Sequence, residues 1–455
     1  MSFTKLYLLL FILLSLNSSI NSQTGWYEQY TGVTEDLYSI YFVNPNTGWA
    51  CGLDGRIIKT TNGGANWNQQ INNNDCSLYS IYFINENTGF AAGGKYYPQY
   101  FQVILKTTNG GTNWVTLIFG LSNYIVLKDI HFFNSNTGIA IGAGGGGFAS
   151  LGSILRTTNG GLNWTSSVDG IARIYFSFYG ANYGYMYGHI WDDMGLDSSM
   201  IFKTTNNGLN WQKIYDTKNV RIGGISCSSE SNLLVAGDTA LSSIIILKSI
   251  NGGNNWSRIL MNPSCYISSV FCSDNNSAWM CSLSFSKIFF TSNGGNNWIE
   301  QVSPINASYN KVFFINSITG WISGDGGKIV HTTSGGIIGI KKLSNWIPEN
   351  FKLSQNYPNP FNPSTKIRFE IPLSRGVDVP KPRDGRGVSV QLTVYDILGN
   401  EITTLVNEYL SPGTYEAEWN ASNFASGIYY YRLTARQVGS STGDYSETKK
   451  MILIK

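Results

Sequence analysis

The chain has 455 residues, of which 42% are hydrophobic and only 13% charged, enough for two or three domains with buried cores and the wrong composition for a disordered chain. A formal net charge of +3, with no basic stripe, zinc-finger spacing or strand-borne stacking motif, excludes nucleic acid as a partner. The 50 glycines and 14% aromatics favour many short strands joined by tight turns.

Residues 1–22 carry Lys5, an apolar run from Leu6 to Leu16 and a polar stretch ending Ile20-Asn21-Ser22. They read as a signal peptide, with the mature chain starting at Gln23. The apolar run is short for a membrane span, and no later run reaches about 18 apolar residues, so no transmembrane segment is expected in the mature chain. An exported chain permits disulfides. The six cysteines stand at repeat-equivalent positions (Cys51 with Cys281, Cys76 with Cys265, Cys227 with Cys272), which separated repeats hold apart. That equivalence assigns no pairing, and free buried thiols and bridges both remain open.

From Leu37 onward one unit recurs. Its first half is Ser39-Ile40-Tyr41-Phe42-Val43-Asn44-Pro45-Asn46-Thr47-Gly48-Trp49, an alternating strand, a turn and a small-residue strand. Its second half is Lys59-Thr60-Thr61-Asn62-Gly63-Gly64-Ala65-Asn66-Trp67. The asparagine and tryptophan of this phrase return as Asn109 and Trp114, Asn159 and Trp164, Asn206 and Trp211, Asn251 and Trp256, and Asn293 and Trp298. A seventh copy, Thr332-Thr333-Ser334-Gly335-Gly336, has no tryptophan. Periods of 41 to 50 residues, with four short strands in each, predict a propeller. The asparagines cap a turn, the glycines accept its backbone angles, and each tryptophan is expected to fold beneath it, worth about 3 kcal/mol of burial. These twelve residues are assigned a structural role.

The spacing Thr60, Asn62, Gly64, Trp67 resembles the Asp-box of bacterial sialidase-type propellers, with asparagine replacing aspartate. The wider wording, Asn-Thr-Gly-Trp followed by Thr-Thr-Asn-Gly-Gly-x-x-Trp, is closer to the propeller family of photosystem II assembly factors. The resemblance covers Gln23 to Ile340 and implies a β-propeller; it says little about function, because such repeats serve hydrolases, binding proteins and assembly factors alike. Trp26-Tyr27-Glu28-Gln29 is similar to Trp298-Ile299-Glu300-Gln301, so the N-terminal segment is expected to supply the outer strand of the last blade and remove an open sheet edge.

Residues 341–352 read as a linker. The proline-rich run Asn356-Tyr357-Pro358-Asn359-Pro360-Phe361-Asn362-Pro363-Ser364-Thr365 opens a segment with six further strand signals, which suits a small immunoglobulin-like sandwich at 353–455. That segment resembles the type A C-terminal sorting domain of the type IX secretion system. The matching motifs include Val394-Tyr395-Asp396-Ile397-Leu398-Gly399, Ala425-Ser426-Gly427-Ile428-Tyr429 and Lys449-Lys450-Met451-Ile452-Leu453-Ile454-Lys455. The resemblance implies handling by the type IX machinery, with the product secreted or held on the outer surface of a Gram-negative bacterium. The fold class expected for the whole is all-β: a seven-bladed β-propeller at 23–340, then the sandwich.

Catalytic signals are sparse. The three histidines, His131, His189 and His331, have no metal-ligand spacing and no Ser/His/Asp order, so no metal or cofactor is expected. Sialidase chemistry would need an arginine trio and a tyrosine nucleophile; the propeller holds just Arg56, Arg156, Arg173, Arg221 and Arg258, with Arg156 in the lysine slot of the repeat, so that activity is not expected. A polysaccharide-degrading glycoside hydrolase is the alternative function, with Asp192 and Asp193 as its candidate carboxylates. Asp54, Asp238 and Asp325 recur near one turn position and are read as structural. The connections between second and third strands are enlarged in blades two to four, over residues 94–102, 143–152 and 189–199. They place Tyr96, Tyr97, Tyr100, Phe101, Phe148, His189 and Trp191 on the face opposite the phrase, as candidates for stacking on a sugar. The reading preferred over an enzyme is an exported binding or scaffolding module for a glycan or an envelope protein, with a chaperone-like scaffold as a third possibility.

Overall fold

The computed structural model describes residues 25–70, 76–95, 100–121, 125–144, 151–169, 171–191, 197–239, 243–336, 341–344, 346–372, 388–410, 412–421, 424–437 and 445–455. The expected signal peptide lies outside them. The described residues form nine four-stranded sheets. Sheet 1 runs in order through Leu37–Phe42, Gly48–Gly52, Ile57–Thr60 and Asn68–Gln69. Sheets 2 to 6 repeat this meander from first strands Ser77–Phe83, Ile125–Phe132, Ala172–Tyr179, Val220–Cys227 and Ile267–Cys272. Sheet 7 joins Tyr309–Phe314, Gly320–Gly324 and Ile329–Gly336 to Gly25–Gln29 from the other end of the chain.

The first half of each repeat makes a hairpin. Asn44 Oδ1 accepts the backbone amides of Asn46 and Thr47, both at 2.8 Å, and Asn85, Asn134, Asp274 and Asn316 do the same in their sheets. Gly48 follows because the Phe42 ring lies against it: a β-carbon there would sit 2.4 Å from the ring. Each second strand then carries a large ring or aliphatic group to the next sheet. Trp49 stacks on Phe83 with centroids 3.5 Å apart, Phe90 on Phe132 at 3.5 Å and Trp279 on Phe314 at 3.7 Å. Trp321 of sheet 7 stacks on Phe42 of sheet 1 at 3.5 Å, so the last sheet packs on the first as each packs on its successor.

The phrase is a hydrogen-bonded knot centred on its threonine. Thr60 Oγ1 accepts the Gly64 amide at 2.9 Å and donates to Asn62 Oδ1 at 3.0 Å, and Asn62 Oδ1 accepts the Asn66 amide at 2.9 Å. The same bonds recur around Thr107, Thr157, Thr204, Ser249 and Thr291. Gly63 and Gly64, at φ +69 and +90, occupy the left-handed region that other residues resist. The phrase is also a joint between sheets, since its first glycine carbonyl accepts a donor from the preceding sheet. Trp49 Nε1 reaches Gly110 O at 3.1 Å, Lys106 Nζ reaches Gly160 O at 2.9 Å, and Trp321 Nε1 reaches Gly63 O at 3.2 Å.

One expectation is corrected. Trp67 is buried, but Trp114, Trp164, Trp211, Trp256 and Trp298 are only half-buried. Each of Trp67, Trp114, Trp164 and Trp211 sets its ring edge-on to a phenylalanine of its own sheet, 5.9–6.1 Å away, and the outer strand leaves the other side accessible. The fully buried indoles are Trp49, Trp279 and Trp321 of the second strands, and Trp26.

Trp26 explains the seventh phrase. Gly25–Gln29 pairs antiparallel with Ile329–Gly336, Tyr27 opposite His331, as Asn68 pairs with Lys59 in sheet 1. Trp26 therefore stands where Trp67 stands. It bonds Gln301 Oε1 at 2.9 Å and lies so close to Gly336 that a β-carbon there would sit 2.0 Å from Nε1.

The C-terminal region is two sheets around one core. One has the order Lys341–Ser344, Gly413–Asn420, Ser364–Ile371, Lys352–Leu353, and the other Glu401–Leu410, Val388–Tyr395, Gly427–Gln437, Tyr445–Leu453. Ile367, Phe369, Val390, Leu392, Tyr431 and Met451 meet between them. Residues 341–352 are thus not a simple linker: Lys341–Ser344 is an edge strand opposite Glu416 to Thr414, because the long strand Gly413–Asn420 would otherwise leave its backbone groups unpaired on that side. All six cysteines are buried thiols. Among the described residues no helix is long and apolar enough to cross a membrane.

Candidate functional site

The first strand of each repeat runs from the end bearing the second-to-third-strand connections toward the end bearing the phrase. Of the residues expected on the enlarged connections, Tyr96, Tyr97, Phe148, Asp192 and Asp193 lie outside the described residues. Of the others, Tyr100 lies on the connection, and Phe101, His189 and Trp191 lie on strands. Phe101 opens the third strand of sheet 2 opposite Lys95 and packs on the core shared by sheets 1 and 2, with Tyr100 immediately before it. His189 and Trp191 are not loop residues: the second strand of sheet 4 spans Tyr183–Trp191, with His189 opposite Ser199 and Trp191 opposite Asp197.

His189 is buried and lies 2.8 Å from Ser199 Oγ, which donates to Val220 O at 2.6 Å. With that hydroxyl proton committed, His189 Nδ1 is the donor to Ser199. Burial and the nearby Arg221 guanidinium hold His189 down to about 4, so it is neutral at physiological pH. Arg221 in turn grips Asp238 with two nitrogens at 2.7 and 3.2 Å and sits 5.3 Å from the Tyr266 ring centroid. Asp238 is thereby neutralised in a forked ion pair.

A different set of groups converges at the connection end. Every first strand of sheets 1 to 7 slips register by one residue, and the extra residues are Tyr38, Tyr79, Lys128, Ile174, Gly223, Ser268 and Asn310. A bulge re-aims the side chain it carries. Tyr38 and Tyr79 stack with centroids 5.1 Å apart and planes 14° apart, and Lys128 Nζ lies 3.7 Å from the Tyr79 centroid. Burial pulls Lys128 down to about 8. Burial, then Tyr79 and the carboxylates of Asp36, Asp325 and Asp54, push Tyr38 up to about 12. Asn310 Nδ2 donates to Asp325 Oδ1 at 2.8 Å and to Leu37 O at 3.1 Å.

Further along the strands, Lys311 Nζ lies 4.8 Å from the Tyr175 centroid. Asp129 accepts Ser80 Oγ at 2.6 Å and the amides of Ile130 and Phe176 at 3.0 and 3.2 Å. Burial raises its pKa against the opposing effect of Lys311. At the phrase end a chain of rings runs Phe271, Phe313, Tyr41, Tyr82, His131, Phe178, with successive centroids 4.6–5.4 Å apart. Burial among these rings pulls His131 down to about 3. Among the described residues no group of three or more His, Cys, Asp or Glu side chains could hold a metal ion.

Residues 18–187 match the family model described as photosynthesis system II assembly factor YCF48, and residues 355–453 match that of the secretion system C-terminal sorting domain. The chain carries a YCF48-like β-propeller region followed by a secretion sorting domain. The YCF48-like region resembles a solved structure described as YCF48 bound to D1 peptide, at 18% identity and a TM-score of 0.55, covering 68% of this chain and 97% of that one. It also resembles YCF48 from Cyanidioschyzon merolae, at 18% identity and a TM-score of 0.52, covering 68% and 98%. At such identity the likeness establishes the fold alone. No curated protein matches the chain. The sorting domain marks the protein for export by a secretion system.

The bulged residues of the YCF48-like region escaped the sequence reading, although a signal existed. Leu37-Tyr38-Ser39-Ile40-Tyr41-Phe42 and Leu78-Tyr79-Ser80-Ile81-Tyr82-Phe83 are the same hexapeptide. In both, leucine and serine are buried two positions apart and the tyrosine between them is half-buried, which alternation reads as an ordinary outward residue.

Proposed function

We propose that the protein is a binding or scaffolding module for a glycan or an envelope protein, exported through type IX secretion and acting outside a Gram-negative cell. In this reading sheets 1 to 7 are the blades of one closed seven-bladed propeller at 23–340. The two C-terminal sheets are an immunoglobulin-like sorting domain at 353–455, and residues 1–22 are a signal peptide.

The observation that carries the proposal is the convergence of the bulged residues at the end bearing the connections. Tyrosine rings, a lysine and an asparagine gather there on inner strands, with carboxylates on the adjoining turns. The phrase asparagines, by contrast, spend their side-chain oxygens on their own turns. Rings and polar groups presented by a rigid scaffold suit recognition. His189 spends its Nδ1 on the Ser199 hydroxyl, which in turn bonds Val220 O of the next sheet. The likeness to a structure described as bound to a peptide supports the protein-ligand branch.

The test incubates the mature full chain with immobilised polysaccharides and with envelope proteins, measuring retention and release of reducing ends together. Retention without release supports the module. Release of reducing ends would replace it with the hydrolase reading, and failure to retain any glycan or envelope protein would overturn it.

A further inference from the structure

The seven bulge positions are unequal around the propeller. Sheets 1, 2 and 3 place Tyr38, Tyr79 and Lys128 there, whereas sheets 5 and 6 place Gly223 and Ser268. Large flat and charged groups thus face small ones at the same level. Tyr38, Tyr79, Lys128, Ser268 and Asn310 all keep accessible surface although they lie on the innermost strands. The sign of charge also changes across this mouth: Lys128 stands on sheet 3, while the carboxylates of Asp36, Asp325 and Asp54, on the segments of sheets 1 and 7, act on Tyr38.

A simple anion would be drawn to Lys128 and repelled by the three aspartates, and an acidic peptide end would meet the same conflict. A ligand with a carboxylate at one end, hydroxyl donors at the other and a flat C–H face between them satisfies all three surfaces. We propose that this mouth is a binding site for an acidic sugar of the hexuronate type. Its carboxylate is held by Lys128 Nζ, its ring lies against the tyrosine pair, and its hydroxyls donate toward Asp54 and Asp325. This rests on the glycan branch of the function proposed above. The burial that lowers the Lys128 pKa is offset by a bound carboxylate, because a nearby opposite charge favours the protonated amine.

The experiment is calorimetric titration of the mature full chain with a galacturonate tetramer and with its neutral galactose counterpart. The expected result is at least about tenfold tighter binding of the acidic tetramer, a difference of about 1.4 kcal/mol. Affinity for the acidic tetramer should fall as pH rises from 7 to 9 and Lys128 loses its proton. Lys128→Met should bring the acidic tetramer to the neutral level with an unchanged melting temperature, and Lys128→Arg should restore the preference. Should the methionine variant fail to fold, the pH series and the arginine variant decide alone. Equal affinity for both tetramers, or a preference that survives Lys128→Met, would overturn the site while leaving glycan binding intact. Capture of an envelope protein with no saccharide bound would overturn the site and the glycan branch together, leaving the protein branch.

Discussion

Thr60 does more for its turn than the asparagine that makes the phrase recognisable. Its hydroxyl accepts two backbone amides and donates to Asn62, so Thr60→Ala leaves buried donors without partners. A loss of about 1–2 kcal/mol is expected for this change, and for Thr107→Ala, in urea denaturation; wild-type stability in both would refute the central role of the hydroxyl. Trp114→Ala should cost less than the about 3–5 kcal/mol typical of a fully buried tryptophan, since its ring is half-exposed. The histidines set a pH response. Burial pulls His131 to about 3, and His189 and His331 to about 4, against about 6.5 in an unfolded chain. The unfolded chain then binds more protons between pH 6.5 and 4, so stability is full above about 6.5 and is lost as pH falls toward 4. Melting temperature measured from pH 8 to 4 should hold and then drop through this window, less steeply in His131→Phe, which keeps a ring in the aromatic chain.

At the scale of elements, the N-terminal strand is the most consequential. Gly25–Gln29 completes sheet 7, and Trp26 fills the place that the seventh phrase leaves without a tryptophan. Trp26→Ala is expected to cost about 3–5 kcal/mol, seen as a lower denaturation midpoint. Deletion of residues 23–31 should in addition expose the edge of Ile329–Gly336 and promote association detectable by light scattering. An unchanged melting temperature in the deletion would contradict this closure. The strand was legible from the likeness of Trp26 to Gln29 and Trp298 to Gln301, and the hairpins from their Asn-Thr-Gly turns. The bulges were not, because one inserted residue leaves the composition of a strand unchanged while turning a side chain to another face. The same limit put His189 on a loop: its strand continues by pairing with Asp197 to Thr204, a partner that local sequence does not name.

For the whole molecule, the propeller sheets and the C-terminal pair have separate cores. Two thermal transitions are therefore expected by calorimetry, and a single one would mean that the two units unfold together. Removal of residues 353–455 should leave the propeller transition intact while abolishing export, scored by fractionation of the expressing cells. What the sequence determined by itself is the repeating architecture, because turn chemistry and strand alternation are local and seven concordant copies reinforce one another, and the sorting domain, because its motifs are contiguous. Only the tertiary structure decided which residues meet at the mouth. Tyr38, Tyr79, Lys128 and Asn310 come from the neighbouring sheets 1, 2, 3 and 7, whose segments lie at opposite ends of the propeller sequence, and their meeting depends on a one-residue register slip in each inner strand, set by pairing partners that local sequence does not name.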